Sequence, residues 1–294
     1  MSLTRWRETG GEFRFRAHRI FIRDTGSGDE AVLLLHGFPT ASWDFEAMWP
    51  GLARRFARVV TLDLLGFGFS DKPPGYRYSV REQADLVAEL LAALGIRRVQ
   101  LLAHDYGACV AQELLARMRQ GGRGDPPDIV PITSCVLLNA ALFPEAYHPS
   151  LMQRLLLGPL APLYLQLAGP RRFGRVFSAL FGAQTKPGLI ELHDYWTLIG
   201  QQRGRRALGA LFRFVEERRS QRARWLQALA GARIPLRLIC GSDDPVAGRE
   251  MAERYRQLID QADIVLLDGI GHFPHVEAPD RTLRAFLAFH DALA

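Results

Sequence analysis

Polar and apolar residues alternate near the start of the chain, in Glu12-Phe13-Arg14-Phe15-Arg16 and again in His18-Arg19-Ile20-Phe21-Ile22-Arg23. A period of two turns one face of each segment to a core and the other to water, so the pair reads as an exposed hairpin. Short unbroken apolar runs follow at Ala31–Leu35, Val59–Leu62 and Val99–Leu102, and later at Ile132–Leu138, Leu236–Cys240 and Ile264–Leu267. Runs of this kind suit strands buried on both faces, as a parallel sheet requires. Helical patterns separate them. The clearest opens at Ser79-Val80-Arg81-Glu82, a capping-box sequence, runs to Leu94 and stops at Gly95. Strands alternating with helices predict an α/β fold with a mostly parallel sheet covered on both faces.

One stretch breaks this rhythm. From Pro144 to about Ala230 the period is helical, prolines interrupt it, and strand-like runs resume only at Ile234. This predicts a helical cap at 144–229, inserted between a first core part at 1–143 and a second at 230–294. The length of 294 residues is enough for one large domain carrying such an insertion.

Composition narrows the partners. Hydrophobic residues at 48% and charged residues at 23% suit a globular protein. The net charge of +6 raises the question of nucleic acid, but only Lys72 and Lys186 are lysines and the arginines are scattered among acids. The richest stretch, Arg203 to Arg224, is interleaved with Leu211, Phe212, Phe214 and Val215. It reads as a solvated helix face, and no nucleic-acid partner is expected. Cys109, Cys135 and Cys240 lie in separate apolar runs, which predicts buried free thiols in a reducing, cytoplasmic setting. No apolar region follows Arg5, Arg7 and Glu8, and Leu151–Gly169 is broken by Gln153, Arg154, Pro159, Pro162 and Gln166. Neither a signal peptide nor a membrane span is expected.

The chemistry centres on Ala103-His104-Asp105-Tyr106-Gly107, which lies between a strand and a helical pattern. A strand, a tight bend with small residues at its ends and then a helix is the layout that exposes a nucleophile. Here that residue is Asp105. A serine attacking saturated carbon would end as an ether, whereas a carboxylate ends as an ester that water can cleave. Asp105 therefore predicts hydrolysis at sp³ carbon, of epoxides or carbon–halogen bonds. Ester cleavage needs donors for the oxyanion. The candidates are the backbone N–H of Tyr106, after the nucleophile, and that of Phe38 in His36-Gly37-Phe38-Pro39, with a cis bond expected at Pro39. A base and an acid should follow in the chain. They are His272 in Gly271-His272-Phe273-Pro274 and Asp244 in Gly241-Ser242-Asp243-Asp244, with Asp243 as the substitute acid.

The remaining polar candidates have blander readings. His36 and His104 are expected to order loops, and Asp63 to hold the glycine-bearing loop 63–71. That loop lacks the third glycine of a dinucleotide cradle, so no cofactor is expected. His275 lies three residues after His272, but with no Cys or carboxylate in view to complete a site, no metal is expected. His18, His148, His193 and His290 read as incidental.

These motifs, in this order, resemble the α/β-hydrolase superfamily, specifically its epoxide hydrolase and haloalkane dehalogenase branch. The resemblance rests on His36–Pro39, Asp63–Ser70, Ala103–Gly107, Gly241–Val246 and Gly271-His272, and covers nearly the whole chain. It implies an α/β-hydrolase fold in which the eight candidate strands form one sheet, with the helical cap inserted. Haloalkane dehalogenases grip the halide with a tryptophan after the nucleophile, aided by an asparagine after His-Gly or a second tryptophan in the cap. Here those first two positions hold Tyr106 and Phe38, and Trp196 offers half of such a grip as a substrate-binding candidate. Epoxide hydrolases use cap tyrosines as acids toward the epoxide oxygen, which makes Tyr195 and Tyr164 the candidates, with Tyr147 at the start of the cap. The first reading is an epoxide hydrolase acting with water on small apolar epoxides, since the cap is leucine-rich. A haloalkane or haloacid dehalogenase with the same triad comes second, and a non-catalytic protein binding in the cap cleft third.

Overall fold

The computed structural model describes residues 1–120, 130–147, 157–158 and 169–293. Strands β1 (Gly11–Phe15) and β2 (His18–Gly26) form the hairpin. They are followed by β3 (Glu30–Leu35), β4 (Arg58–Leu62), β5 (Arg98–His104), β6 (Ile132–Leu138), β7 (Leu236–Gly241) and β8 (Asp263–Leu267). All eight join in one sheet of order β1-β2-β4-β3-β5-β6-β7-β8. It is parallel from β4 to β8, and the hairpin adds antiparallel strands at one edge.

The unbroken apolar runs are explained by what lies on either side. In β3, Leu33 and Leu35 face one core and Val32 and Leu34 the other; β6 divides Cys135 and Leu137 from Val136 and Leu138 in the same way. Helices α1 (Leu3–Glu8) and α2 (Trp49–Arg55) contribute to the second core, and α3 (Val80–Ala93) and α4 (Tyr106–Gln120) to the first. At the start of α3 only part of the expected capping box forms. Ser79 Oγ accepts from the Glu82 N–H at 3.1 Å, but the Glu82 carboxylate turns to Arg16 at 2.6 Å and to the Tyr76 hydroxyl at 2.7 Å.

In the expected cap the structure describes α5 (Pro170–Ser178), α6 (Leu189–Gly200) and α7 (Leu208–Phe212), then α8 (Phe214–Ala230). The last of these lies along α4 of the core. Trp225 Nε1 donates to Glu113 at 3.0 Å, Arg224 pairs with the same carboxylate, and Arg119 donates to the Gln227 carbonyl at 2.6 Å. The solvated face expected for the arginines holds for Arg203, Arg205, Arg206, Arg213 and Arg219, which are exposed, but not for Arg218. Helical spacing turns Phe214, Arg218 and Trp225 inward together, and Arg218 is only 1% exposed. Arg222 and Arg224 are held by Glu145 and Glu113. Helices α9 (Arg249–Leu258), α10 (Pro274–Glu277) and α11 (Pro279–Asp291) complete the chain. The three cysteines are buried and unpaired. Among the described residues, no helix is long and apolar enough to cross a membrane.

Candidate active site

Loops leaving the carboxyl ends of β3, β5, β6, β7 and β8 supply the polar groups, the usual placement in an open parallel sheet. Asp105 follows β5 directly and has φ of 41°, a conformation that side-chain-bearing residues rarely adopt. The surrounding hydrogen bonds impose it. Asp105 N donates to the Leu138 carbonyl at 3.3 Å, Gly107 N to the His36 carbonyl at 3.0 Å, and the Asp105 carbonyl takes Ala108 N at 3.1 Å to start α4. Gly107 must be glycine for a steric reason: a Cβ there would sit 2.5 Å from the Leu35 carbonyl oxygen and 2.7 Å from that of His36. The bend presents the carboxylate to the loop after β3, where Phe38 N donates to Asp105 Oδ2 at 3.1 Å. The Phe38–Pro39 bond is cis.

Opposite this elbow, His272 Nδ1 lies 2.8 Å from Asp244 Oδ2. Asp243 is turned to its neighbour instead and accepts from Ser242 Oγ at 2.6 Å. Asp244 is further fixed by Val246 N, which donates to Oδ1 at 2.7 Å, and by Asn139 Nδ2, which donates to Oδ2 at 2.7 Å. Asn139 was absent from the sequence-based candidates. It is the first residue after β6, at φ 35°, and its Oδ1 accepts from Gly241 N at 2.9 Å while Nδ2 also reaches the Gly271 carbonyl at 3.2 Å. Its place at the carboxyl end of a central strand was the available signal. Burial works to lower the His272 pKa, but the charge and hydrogen bond of Asp244, with the charges of Asp105 and Glu277, prevail and raise it to about 9.

The other two loop histidines have defined partners. His36 Nε2 accepts from Leu64 N at 3.0 Å, so its Nδ1 donates to the Gly37 carbonyl at 2.8 Å, and burial lowers its pKa. His104 Nε2 donates to the His272 carbonyl at 2.8 Å. Asp63 accepts from Ser42 N at 2.8 Å and Phe69 N at 2.7 Å, and so ties two loops together. His275 has company that its sequence neighbourhood does not reveal. Asp44 and His104 join it in a buried group whose ligand-type atoms all lie within 4.8 Å of one another. The expectation that no carboxylate stands beside His275 is thus corrected; Asp44 arrives from the loop after β3. The gap of 3.9 Å between His275 Nε2 and Asp44 Oδ2 is too wide for a hydrogen bond.

The cap candidates separate. Tyr195 on α6 is buried between the rings of Trp43 (5.2 Å) and Phe177 (4.8 Å). Burial, then the charge of Asp44, holds its pKa well above the ordinary value. Trp196, the next residue on the helix, faces another way, packing on Phe173 at 5.4 Å under the guanidinium of Arg205 at 4.6 Å. The structure does not bring it to Asp105. Tyr164 and His148 lie outside the described residues. Among the described tyrosines, Tyr147 has Asp105 among the charges that act on its hydroxyl. Its hydroxyl is buried without a hydrogen-bond partner among the described residues. Its pKa is pushed up to about 12, chiefly by burial, with Arg218 opposing and Asp105 adding to the rise. An aromatic wall continues from there: Phe214 meets Tyr106 at 4.8 Å, Tyr106 meets Phe67 at 5.3 Å, and Phe38 meets Phe212 at 5.2 Å.

Comparison with known proteins identifies the fold. A family model described as the alpha/beta hydrolase fold matches residues 30–279. The chain is 41% identical over 298 residues to the mesoderm-specific transcript protein of Mus musculus, covering 98% of this chain and 88% of that protein. A haloalkane dehalogenase DbeA-M1 loop variant from Bradyrhizobium elkanii aligns with a TM-score of 0.78 at 21% identity, over 97% of this chain and 98% of that one. The epoxide hydrolase CorEH aligns with a TM-score of 0.76 at 20% identity, over 97% of this chain and 99% of that one. At such identities these two structures speak for the fold alone.

Proposed function

The chain belongs to the α/β-hydrolase fold family, and we propose that within it the protein hydrolyses epoxides through an ester on Asp105. The observation that carries this reading is a carboxylate at the elbow, taking a backbone N–H from Phe38 and backed by the His272–Asp244 pair. Asp105 attacks the less hindered ring carbon, the carbon–oxygen bond of the ring breaks, and the departing oxygen takes the Tyr147 proton. A phenol held above its ordinary pKa is protonated at neutral pH, as a general acid must be. Tyr147 is preferred to Tyr195 in that role because the charge of Asp105 acts on its hydroxyl, whereas Asp44 is the leading charge at Tyr195.

In the second half, His272 takes a proton from water, whose oxygen adds to the ester carbonyl. The N–H groups of Phe38 and Tyr106 hold the resulting oxyanion. Collapse expels the diol oxygen, which takes the proton back from His272. The new Asp105 carboxyl group loses its proton to the Tyr147 phenolate through solvent, and the sum is epoxide plus water to diol. Epoxides are favoured over haloalkanes because neither Tyr106 nor Phe38 offers a side-chain N–H, and Trp196 packs on Phe173.

The test is to incubate the His272→Gln protein with a panel of epoxides and haloalkanes and weigh it intact. The expected product gains the full mass of an epoxide, mapped by peptide analysis to Asp105. An alkyl adduct lacking halide would support the dehalogenase reading instead. No adduct, with no turnover by the wild type, would leave the non-catalytic reading.

A further inference from the structure

The aromatic wall contains a charge that this mechanism does not use. Arg218 on α8 is 1% exposed, and its Nε and Nη2 have no hydrogen-bond partner among the described residues. A guanidinium does not shed its proton, so a buried one needs an anion or a full set of acceptors. The neighbouring acids are engaged elsewhere. Glu217 accepts from Val80 N and Arg81 N, Glu145 holds Arg222 and Arg254, and Glu113 holds Arg117 and Arg224. The stretch 148–168 contains neither Asp nor Glu. What Arg218 does meet is the ring of Tyr147 at 4.2 Å and that of Phe214 at 5.7 Å. Phe214 in turn packs edge-on against Tyr106, next to the nucleophile. The guanidinium thus stacks on Tyr147 and reaches Tyr106, the residue after the nucleophile, through the ring of Phe214.

We propose that Arg218 anchors a carboxylate of the substrate, so that the protein acts on epoxides bearing an acid group rather than on wholly apolar ones. Nε and Nη2 form the edge of the guanidinium that receives a carboxylate in two parallel hydrogen bonds. The aromatic rings around them exclude water, which strengthens those bonds and penalises a neutral group in the same place. The class of substrate rests on the epoxide reading, whereas the anion site itself does not.

Two measurements separate them. The first is calorimetric binding of octanoate and of methyl octanoate to the wild type, Arg218→Leu and Arg218→Lys. Octanoate should bind the wild type and weaken about 10- to 100-fold in Arg218→Leu, with only partial recovery in Arg218→Lys, where the fork is lost. Arg218→Met serves if the leucine variant does not fold. Equal octanoate binding by wild type and variant would overturn the anion site. The second compares kcat/KM for a terminal epoxide carrying a carboxylate with that for its methyl ester. The acid-to-ester ratio should fall about 10- to 100-fold in Arg218→Leu, mainly through KM. An equal loss on both substrates would mean that Arg218 acts only through packing or on Tyr147. Arg218-dependent octanoate binding with no epoxide labelling Asp105 would keep the anion site and sink the epoxide reading.

Discussion

His272 serves the second half of the reaction, and its charge state decides when. In the free protein its pKa is about 9, with Asp105 among the charges that raise it. Esterification neutralises Asp105, so that contribution vanishes and the imidazole loses its proton more readily once there is an ester to cleave. Steady-state kcat should therefore rise with pH along a limb below 9, while single-turnover alkylation lacks that limb. A shared limb would mean that His272 also governs the first step. The same raised pKa has a sign for stability. Protonated His272 stabilises the fold fully below its unfolded value near 6.5, and this contribution disappears as pH climbs through 9. The advantage of wild type over His272→Gln in urea unfolding should thus shrink between those pH values, by about 3 kcal/mol at most. Asn139 adds a positioning effect. Asn139→Ala removes a donor to Asp244 Oδ2 and the acceptor of Gly241 N. Loss of hydrogen bonds to a buried carboxylate costs about 1.5–3 kcal/mol, so kcat should fall about 10- to 100-fold, with the pH limb displaced. An unchanged limb would argue for general loosening instead.

Among the elements, those whose chemistry is local were readable in advance, and those set by distant partners were not. The runs from Ala31 to Leu267 became strands within a few residues because the inner ones are buried on both faces, which a sequence expresses as unbroken apolarity, while β8 at the edge is only partly buried. The bend at Asp105 was readable because a strand, a small residue and a helix are contiguous there. By contrast, α8 carries four arginines among its polar positions, and only its docking on α4 determines that Arg218 turns inward. The meeting of Asp44 with His275 was invisible for the same reason. Steric demand at the elbow gives a sharp test. Gly107→Ala would drive a methyl group to 2.5 Å from a backbone carbonyl that cannot swing away. The variant should lose epoxide labelling of Asp105 even where circular dichroism shows folded protein, and a labelled variant would mean that the elbow yields. At the start of α3, Ser79→Ala removes a cap of about 1 kcal/mol without touching the site. It should lower the urea midpoint and leave kcat unchanged.

At the scale of the whole molecule, one buried carboxylate joins the nucleophile's helix to the helix of the anion site. Glu113 lies in the middle of α4, its side chain fully buried, where Arg117 donates at 2.9 Å and Trp225 of α8 at 3.0 Å, with Arg224 paired to it. Since α4 begins at Tyr106 and α8 at Phe214, this clamp holds the two sides of the aromatic wall together. Burial works to raise the Glu113 pKa, but the hydrogen bonds from Arg224, Trp225 and Arg117 prevail and lower it below 4.5. A depressed carboxylate contributes stability above its unfolded pKa and loses that contribution as pH falls through the folded value. Glu113→Gln should therefore cost about 3–5 kcal/mol at neutral pH, because it leaves two arginines without their buried partner. The gap from wild type should narrow as the solution is taken from pH 5 toward pH 3, by at most about 1.4 kcal/mol per pH unit. Urea unfolding across that range measures it directly. A gap that stays constant down to pH 3 would mean that α8 is held to the core by packing rather than by charge, and the site wall would then survive acid that the clamp does not.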